Sequence, residues 1–234
     1  MRIKDILEVK LDVPVAKNPI SPTITNSKLD NIANGTQSLV YAHKNHPGSV
    51  FKFIAISGYE DPAYQFLRIC VNHSKNPYLP NIFKFKGFNL KDLSAEEMTQ
   101  LQNTNPDMFR SFRVSQMRHA PYVLMVVAEK LTPIQWGDAE LKQWLTDLGI
   151  YNYVVYANNG SQENLDIGMH LAFNNKMVRK GIRNNCKDKQ LLEVLRLLEP
   201  LFEAYGVAPD VRTENIMQRA NGQIVINDPV GPFF

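Results

Sequence analysis

The sequence predicts an α+β chain in which a strand-rich half is followed by a helical half that closes with a β-hairpin. Three observations predict it. Short runs rich in Val, Phe, Ile and Tyr, separated by turn residues, fill residues 38–56. Apolar residues three and four apart dominate residues 138–205. Near the end, Asn221-Gly222, a dipeptide suited to a tight hairpin turn, separates two short apolar runs.

At 234 residues the chain can bury a core, as one two-lobed domain or two small ones. Its 44% apolar and 21% charged residues argue against wholesale disorder. The net charge of +3 is small and the basic residues are dispersed, so neither a nucleic acid nor an anionic membrane is expected as a partner. Cys70 and Cys186 form no CxxC pair and no cysteine–histidine cluster; both are expected to be buried, apolar-like side chains of a reducing compartment. Lys4, Asp5, Glu8, Lys10 and Asp12 interrupt every apolar run at the N-terminus, and no stretch reaches the roughly 20 apolar residues of a membrane helix. A soluble, cytoplasmic protein is expected.

Taken in order, residues 1–28 carry Pro14, Pro19 and Pro22 among polar residues and read as an arm or linker. Residues 38–42 and 49–56 read as antiparallel strands joined at His46-Pro47-Gly48. Asp61-Pro62 opens a helix with an N-cap followed by proline at the first helical position, and Asn76-Pro77 ends it. Residues 82–85 read as a strand. Ser94-Ala95-Glu96-Glu97 has the form of a capping box. Residues 122–128 form a near-continuous apolar run, a buried strand. Helices are expected over 138–148, 161–180 and 188–205, the last kinked or restarted at Pro200 and capped by Gly206. Residues 215–219 and 223–227 form the hairpin strands.

The residues that carry chemistry lie around that hairpin. Asp210-Val-Arg-Thr-Glu-Asn215 precedes it and Asp228-Pro229-Val230-Gly231 follows it. A loop and a tight hairpin can bring three polar residues together. Phosphoryl transfer needs little covalent help but much positioning and charge neutralisation. Asp210 can accept a hydroxyl proton, and Arg212 can place positive charge on a moving phosphoryl group. Asn215 and Asp228 offer the oxygen ligands that Mg²⁺ prefers. No Walker loop, GxSxG or post-strand GxGxxG occurs, and the five histidines have no ligand spacing. Trp136 and Trp144 read as packing residues, and the basic cluster Arg179, Lys180 and Arg183 as a solvated helix end.

The DxxxxN loop, the hairpin and the following aspartate together resemble the catalytic and metal-binding loops of protein kinases. The form Asn215-Ile-Met with Asn227-Asp228-Pro229-Val230 is similar to the small early kinases of some bacteriophages and to minimal kinases among bacterial effectors. The resemblance implies a two-lobed fold: a small antiparallel-β N-lobe over 29–131, with an insert at about 87–121, and a reduced helical C-lobe over 132–234. It implies ATP and Mg²⁺, and a serine/threonine kinase acting on a host protein. Within it, Gly35, Thr36, Ser38 and Val40 match the glycine-rich loop and its exit strand. Lys52 matches the strand lysine that pairs with phosphates, Glu129 to Leu131 the adenine-binding hinge, and Met217 the floor of the adenine pocket.

The pattern also departs from that family. Ala208-Pro209 stands where a His-Arg pair normally anchors the loop, Arg212 replaces a lysine, and Pro229 replaces a phenylalanine. The helix acid that should pair with Lys52 is not obvious, since Glu60 and Asp61 lie at the helix start and Asp61 has a simple role as N-cap. The chain stops soon after Asp228, so no activation segment or later helices are expected. A pseudokinase-like binding module, a small-molecule phosphotransferase and a nucleotidyltransferase on the same fold stay open.

Overall fold

The computed structural model describes residues 29–34, 38–89, 95, 99, 122–135, 137–157, 162–204 and 209–230. It is mixed α and β and divides into two compact units, Met1–Tyr64 with Ile82–Lys130, and Gln65–Asn81 with Leu131–Phe234.

The first unit is built on five antiparallel strands in the order β1-β2-β3-β5-β4: β1 (Leu29–Asn34), β2 (Ser38–His43), β3 (Ser49–Ile56), β4 (Ile82–Asn89) and β5 (Tyr122–Glu129). The turn between β2 and β3 closes with Ser49 N–H donating to His46 O at 3.0 Å, at the His46-Pro47-Gly48 signal. The apolar run at 122–128 lies between β3 and β4 and is buried on both faces, Val123 on one and Leu124, Val126 and Ala128 on the other, which accounts for its continuous hydrophobicity. β4 runs four residues past the strand expected at 82–85, because β5 pairs with it as far as Asn89. One face of the β2–β3 pair carries Leu39, Tyr41, Phe51 and Phe53, all buried. Tyr41 and Phe53 meet edge to face at 5.7 Å.

Helix α1 (Pro62–Asn72) begins where Asp61-Pro62 predicts. Asp61 Oδ1 accepts from Ala63 N–H at 3.0 Å. The helix passes from the first unit into the second, and the segment Gln65–Asn81, expected in the N-lobe, groups with the second. Hydrogen bonds explain the difference. Asn76 Nδ2 donates to Gln190 O at 2.9 Å, Arg219 donates to the carbonyls of Pro77 and Leu79, and Ile226 N–H donates to Tyr78 O. A polar, proline-bounded connection is thereby fixed to the helical half.

The second unit holds α2 (Ala139–Asp147), α3 (Tyr151–Ala157), α4 (Gln162–Asn174), α5 (Lys176–Asn185) and α6 (Lys189–Ala204). A three-stranded sheet completes it: β6 (Thr132–Pro133), β7 (Ile216–Gln218) and β8 (Ile224–Ile226). Its core includes Leu145, Leu148, Leu165, Leu191 and Ile216, each fully buried. Gly222 sits in the β7–β8 turn with φ +82°, a conformation that glycine adopts without cost.

Several sequence expectations are corrected. The single helix expected over 161–180 is two, because the Asn175 side chain accepts from Met177 and Val178 N–H and starts α5 afresh. Helix α6 does not restart at Pro200 but continues through it to Ala204. Helix α3 and strand β6 were not expected. Arg179, expected on a solvated helix end, is buried: its Nη1 donates to Phe173 O at 2.6 Å and its Nε pairs with Glu199. Cys70 is buried, whereas Cys186 is only half-buried. Gly206, Trp136 and most of the helix expected from Ser94 lie outside the described residues. Among the described residues, no helix is long and apolar enough to cross a membrane.

Asp188 joins the start of α6 to the 76–79 connection. Its Oδ1 accepts from Gln190 and Leu191 N–H, and its Oδ2 accepts from the Tyr78 hydroxyl at 2.6 Å. Burial pushes the carboxyl pKa up, but the Tyr78 hydroxyl and the two N–H groups outweigh it and leave it below the usual carboxylate value. Burial and the same carboxylate push the Tyr78 hydroxyl pKa far up, so it stays a donor. A depressed folded-state pKa stabilises the fold above the unfolded value and ceases to do so as pH falls. The stability gap between wild type and Asp188→Asn, measured by urea unfolding, is therefore expected to be open at neutral pH and to close below about pH 4.

Candidate functional site

The loop before β7 and the segment after β8 are bonded together through their backbones. Asp210 N–H donates to Pro229 O at 2.8 Å, Pro209 and Val230 form an antiparallel bridge, and Asn227 N–H donates to Asn215 O at 2.8 Å. Asp228 is thus flanked on one side by a residue bonded to Asn215 and on the other by a residue bonded to Asp210. The structure brings Asp210, Asn215 and Asp228 together, as the sequence spacing anticipates. Within the loop, a turn forms as Asn215 and Ile216 N–H both donate to Arg212 O at 2.9 Å.

The side chains within this loop engage one another. Asn215 Nδ2 donates to Asp210 O at 2.7 Å and to Asp210 Oδ2 at 3.0 Å. Arg212 Nε donates to Asp210 Oδ1 at 2.6 Å, and its Nη1 lies 3.3 Å from Glu214 Oε1. The hydrogen bond to Asp210 holds the Arg212 guanidinium above its already high value, against the opposing effect of burial. The Asp210 carboxylate is therefore oriented from both sides while only partly buried.

The amide nitrogen of Asn215 is committed to Asp210, which leaves its oxygen as the group available to a cation. With the Asp228 carboxylate, that gives one amide and one carboxylate oxygen donor. Among the described residues, no group of three or more His, Cys, Asp or Glu side chains could hold a metal. A donor pair of this kind suits Mg²⁺, which retains waters and takes further ligands from phosphates rather than from an all-protein cage.

In the second unit, β6 leads out of half-buried Leu131 and pairs with β7, with Thr132 opposite Gln218 and Pro133 opposite Met217. Met217 is half-buried on the central strand of this sheet. In the first unit, Val40 lies directly opposite Lys52, and Lys52 opposite Val126. Directly opposed residues of antiparallel strands share a face, so Val40 and Lys52 are neighbours, both partly exposed. Ser38 pairs with Ile54 at the start of β2. Glu129 ends β5 opposite Ser49, and Lys130 N–H donates to Gly48 O at 2.9 Å, so that amide is already occupied. Gly35 and Thr36 lie outside the described residues.

Asp61 accepts from Ser57 N–H and Oγ as well as from Ala63 N–H, which gives its carboxylate full employment as a cap.

Two residues in contact with the loop were not anticipated. Asp166 Oδ1 on α4 accepts from both Thr213 N–H and Thr213 Oγ1 at 2.7 Å, and Asn174 Nδ2 at the end of α4 donates to Pro209 O at 3.2 Å. Asp166, His170 and Asn174, at successive spacings of four, mark one polar stripe along a helix whose residues after Asn164 are otherwise apolar. That stripe was the available sequence signal.

No family model matches the chain, and no curated protein matches it either.

If Asp61 acts as a cap, Asp61→Ala is expected to cost about 1–2 kcal/mol in denaturant unfolding, and Asp61→Asn only a fraction of that. Unchanged unfolding together with weakened nucleotide binding would instead make Asp61 the partner of Lys52.

Proposed function

We propose that this chain is a minimal protein-kinase-like phosphotransferase that uses ATP and Mg²⁺ to phosphorylate serine or threonine on a host protein, in the manner of phage or effector kinases. The supporting observation is the convergence of Asp210, Asn215 and Asp228 through the backbone bonds between the loop and the post-hairpin segment. A non-catalytic scaffold has no physical need for that set of groups.

In this reading the Asp210 carboxylate receives the proton of the acceptor hydroxyl as its oxygen attacks the γ-phosphorus. The bond to the β–γ bridging oxygen breaks, and ADP departs with the bonding pair. Asn215 and Arg212 keep the carboxylate aimed, so little reorganisation is needed at the moment of transfer. Arg212 also carries the positive charge closest to Asp210, available to the transferring group once the acceptor engages the carboxylate. Asn215 and Asp228 would hold Mg²⁺, which when bound neutralises phosphate charge. Lys52, beside Val40 on the first unit's sheet, would meet the α- and β-phosphates. By the resemblance, Gly35, Thr36 and Ser38 are the residues assigned to the phosphates, and Val40, Glu129, Leu131 and Met217 those assigned to the base. The cytosol of the host, with its millimolar-range nucleotide and reduced thiols, is the expected setting.

A binding module of the pseudokinase kind has one observation in its favour: both Asp210 oxygens are already engaged by the chain's own donors. Intact-mass spectrometry after incubation with MgATP and a bacterial or eukaryotic lysate separates the readings, with Asp228→Ala as control. The expected result is mass added in steps of about 80 Da, to the protein itself or to lysate proteins, and absent from the control. AMP-sized steps would change the reaction to nucleotidyl transfer. No transfer from folded protein would overturn the protein-kinase reading and leave the binding module or a small-molecule acceptor.

A further inference from the structure

The loop that carries Asp210 and Asn215 is short and has Ala208-Pro209 at its entry. Yet its middle residue, Thr213, is buried at 6% exposure. A threonine hydroxyl and a backbone N–H are costly to bury without hydrogen-bond partners. Both find the same oxygen, Asp166 Oδ1, at 2.7 Å. These are short, charge-assisted bonds of the stronger kind.

Asp166 is itself well held. It lies on the first turns of α4, whose Gly168 allows close approach of α3; a Cβ there would come within 3.1 Å of Val154 O. Gly168 and Asp166 are two positions apart and so face nearly opposite sides of the helix. One side of α4 is thus pressed against α3 while the other presents Asp166 to the loop. Asn174, two turns further along, holds the loop entry through Pro209 O at 3.2 Å. Thr213 stands between Asp210 and Asn215 in the turn closed by Arg212 O. Thr213 is thus linked through the loop backbone to both groups.

We infer that Asp166 is a positioning residue: a helix carboxylate from earlier in the chain that fixes Thr213 and through it the aim of Asp210 and Asn215. The consequence for catalysis rests on the phosphotransferase reading, whereas the anchoring itself does not. Two measurements on the full chain separate them. Hydrogen–deuterium exchange reads the anchoring: Asp166→Ala is expected to speed exchange in peptides covering 209–216 while leaving those of α6 unchanged. Steady-state kinetics with MgATP, read as autophosphorylation or as transfer to the lysate acceptor, gives the consequence. The same variant is expected to lower kcat on the order of 10²-fold, with KM for MgATP changed by no more than about twofold. Asp166→Asn, which keeps an oxygen acceptor without the charge, is expected to recover part of kcat. Thr213→Val, which keeps the N–H bond alone, should fall between Asp166→Ala and wild type. These two milder variants carry the test if Asp166→Ala does not fold.

Unchanged exchange in the loop would overturn the anchoring whatever the activity. Faster exchange with kcat intact, or a loss seen equally in kcat and in MgATP binding, would overturn the positioning role. An inactive wild type would overturn the phosphotransferase reading and the kinetic consequence with it, leaving exchange to decide the anchor.

Discussion

The arrangement of the second unit depends on a backbone constraint, the pairing of the 209–215 loop with residues 227–230. Two amide hydrogen bonds and one bridge hold two short segments side by side, on either side of a hairpin whose turn needs a residue at positive φ. Because the bonds bracket Asp228, the placement of its backbone does not rely on any side-chain contact of its own. The chemistry-bearing residues then follow from chain geometry. Given the pairing, Asp210, Asn215 and Asp228 have to be neighbours, and the side-chain bonds from Asn215 and Arg212 refine an arrangement that the backbone has already fixed.

That constraint was legible because it is local. Asn221-Gly222 names its own turn, and the flanking Ile216-Met217 and Ile224-Val225-Ile226 can pair in only a few registers around it. Asp61-Pro62 was legible for the same reason, as capping chemistry acts over two residues. The first unit's strands were visible from composition, although the reach of β4 to Asn89 was not, since its length is set by β5.

What escaped is non-local or rests on a single side chain. The apolar spacing runs through Asn175, so periodicity sees one helix where a capping carboxamide makes two. Strand β6 is two residues long and contains proline, and only its pairing with Met217 and Gln218 makes it a strand. Arg179 reads as solvent-facing until Glu199 and the Phe173 carbonyl supply the acceptors that let it be buried. Asp166 acts across 47 residues, a distance at which sequence pattern gives a polar stripe but not its partner.

The two ways of holding the loop differ in what they can transmit. Backbone pairing between 209–215 and 227–230 is insensitive to side-chain chemistry and fixes which residues meet. The contacts from α4 depend on two side chains, Asp166 and Asn174, and fix how the loop is aimed. The loop's support from outside the hairpin therefore comes from a helix that precedes it in the chain. The loop's two ends are also treated differently. Its entry is held by a neutral amide at 3.2 Å, and its middle by a carboxylate through two bonds of 2.7 Å. Charge-assisted bonds are about twice as strong as neutral ones. The stiffer restraint thus falls between Asp210 and Asn215, two loop residues that the 227–230 segment meets.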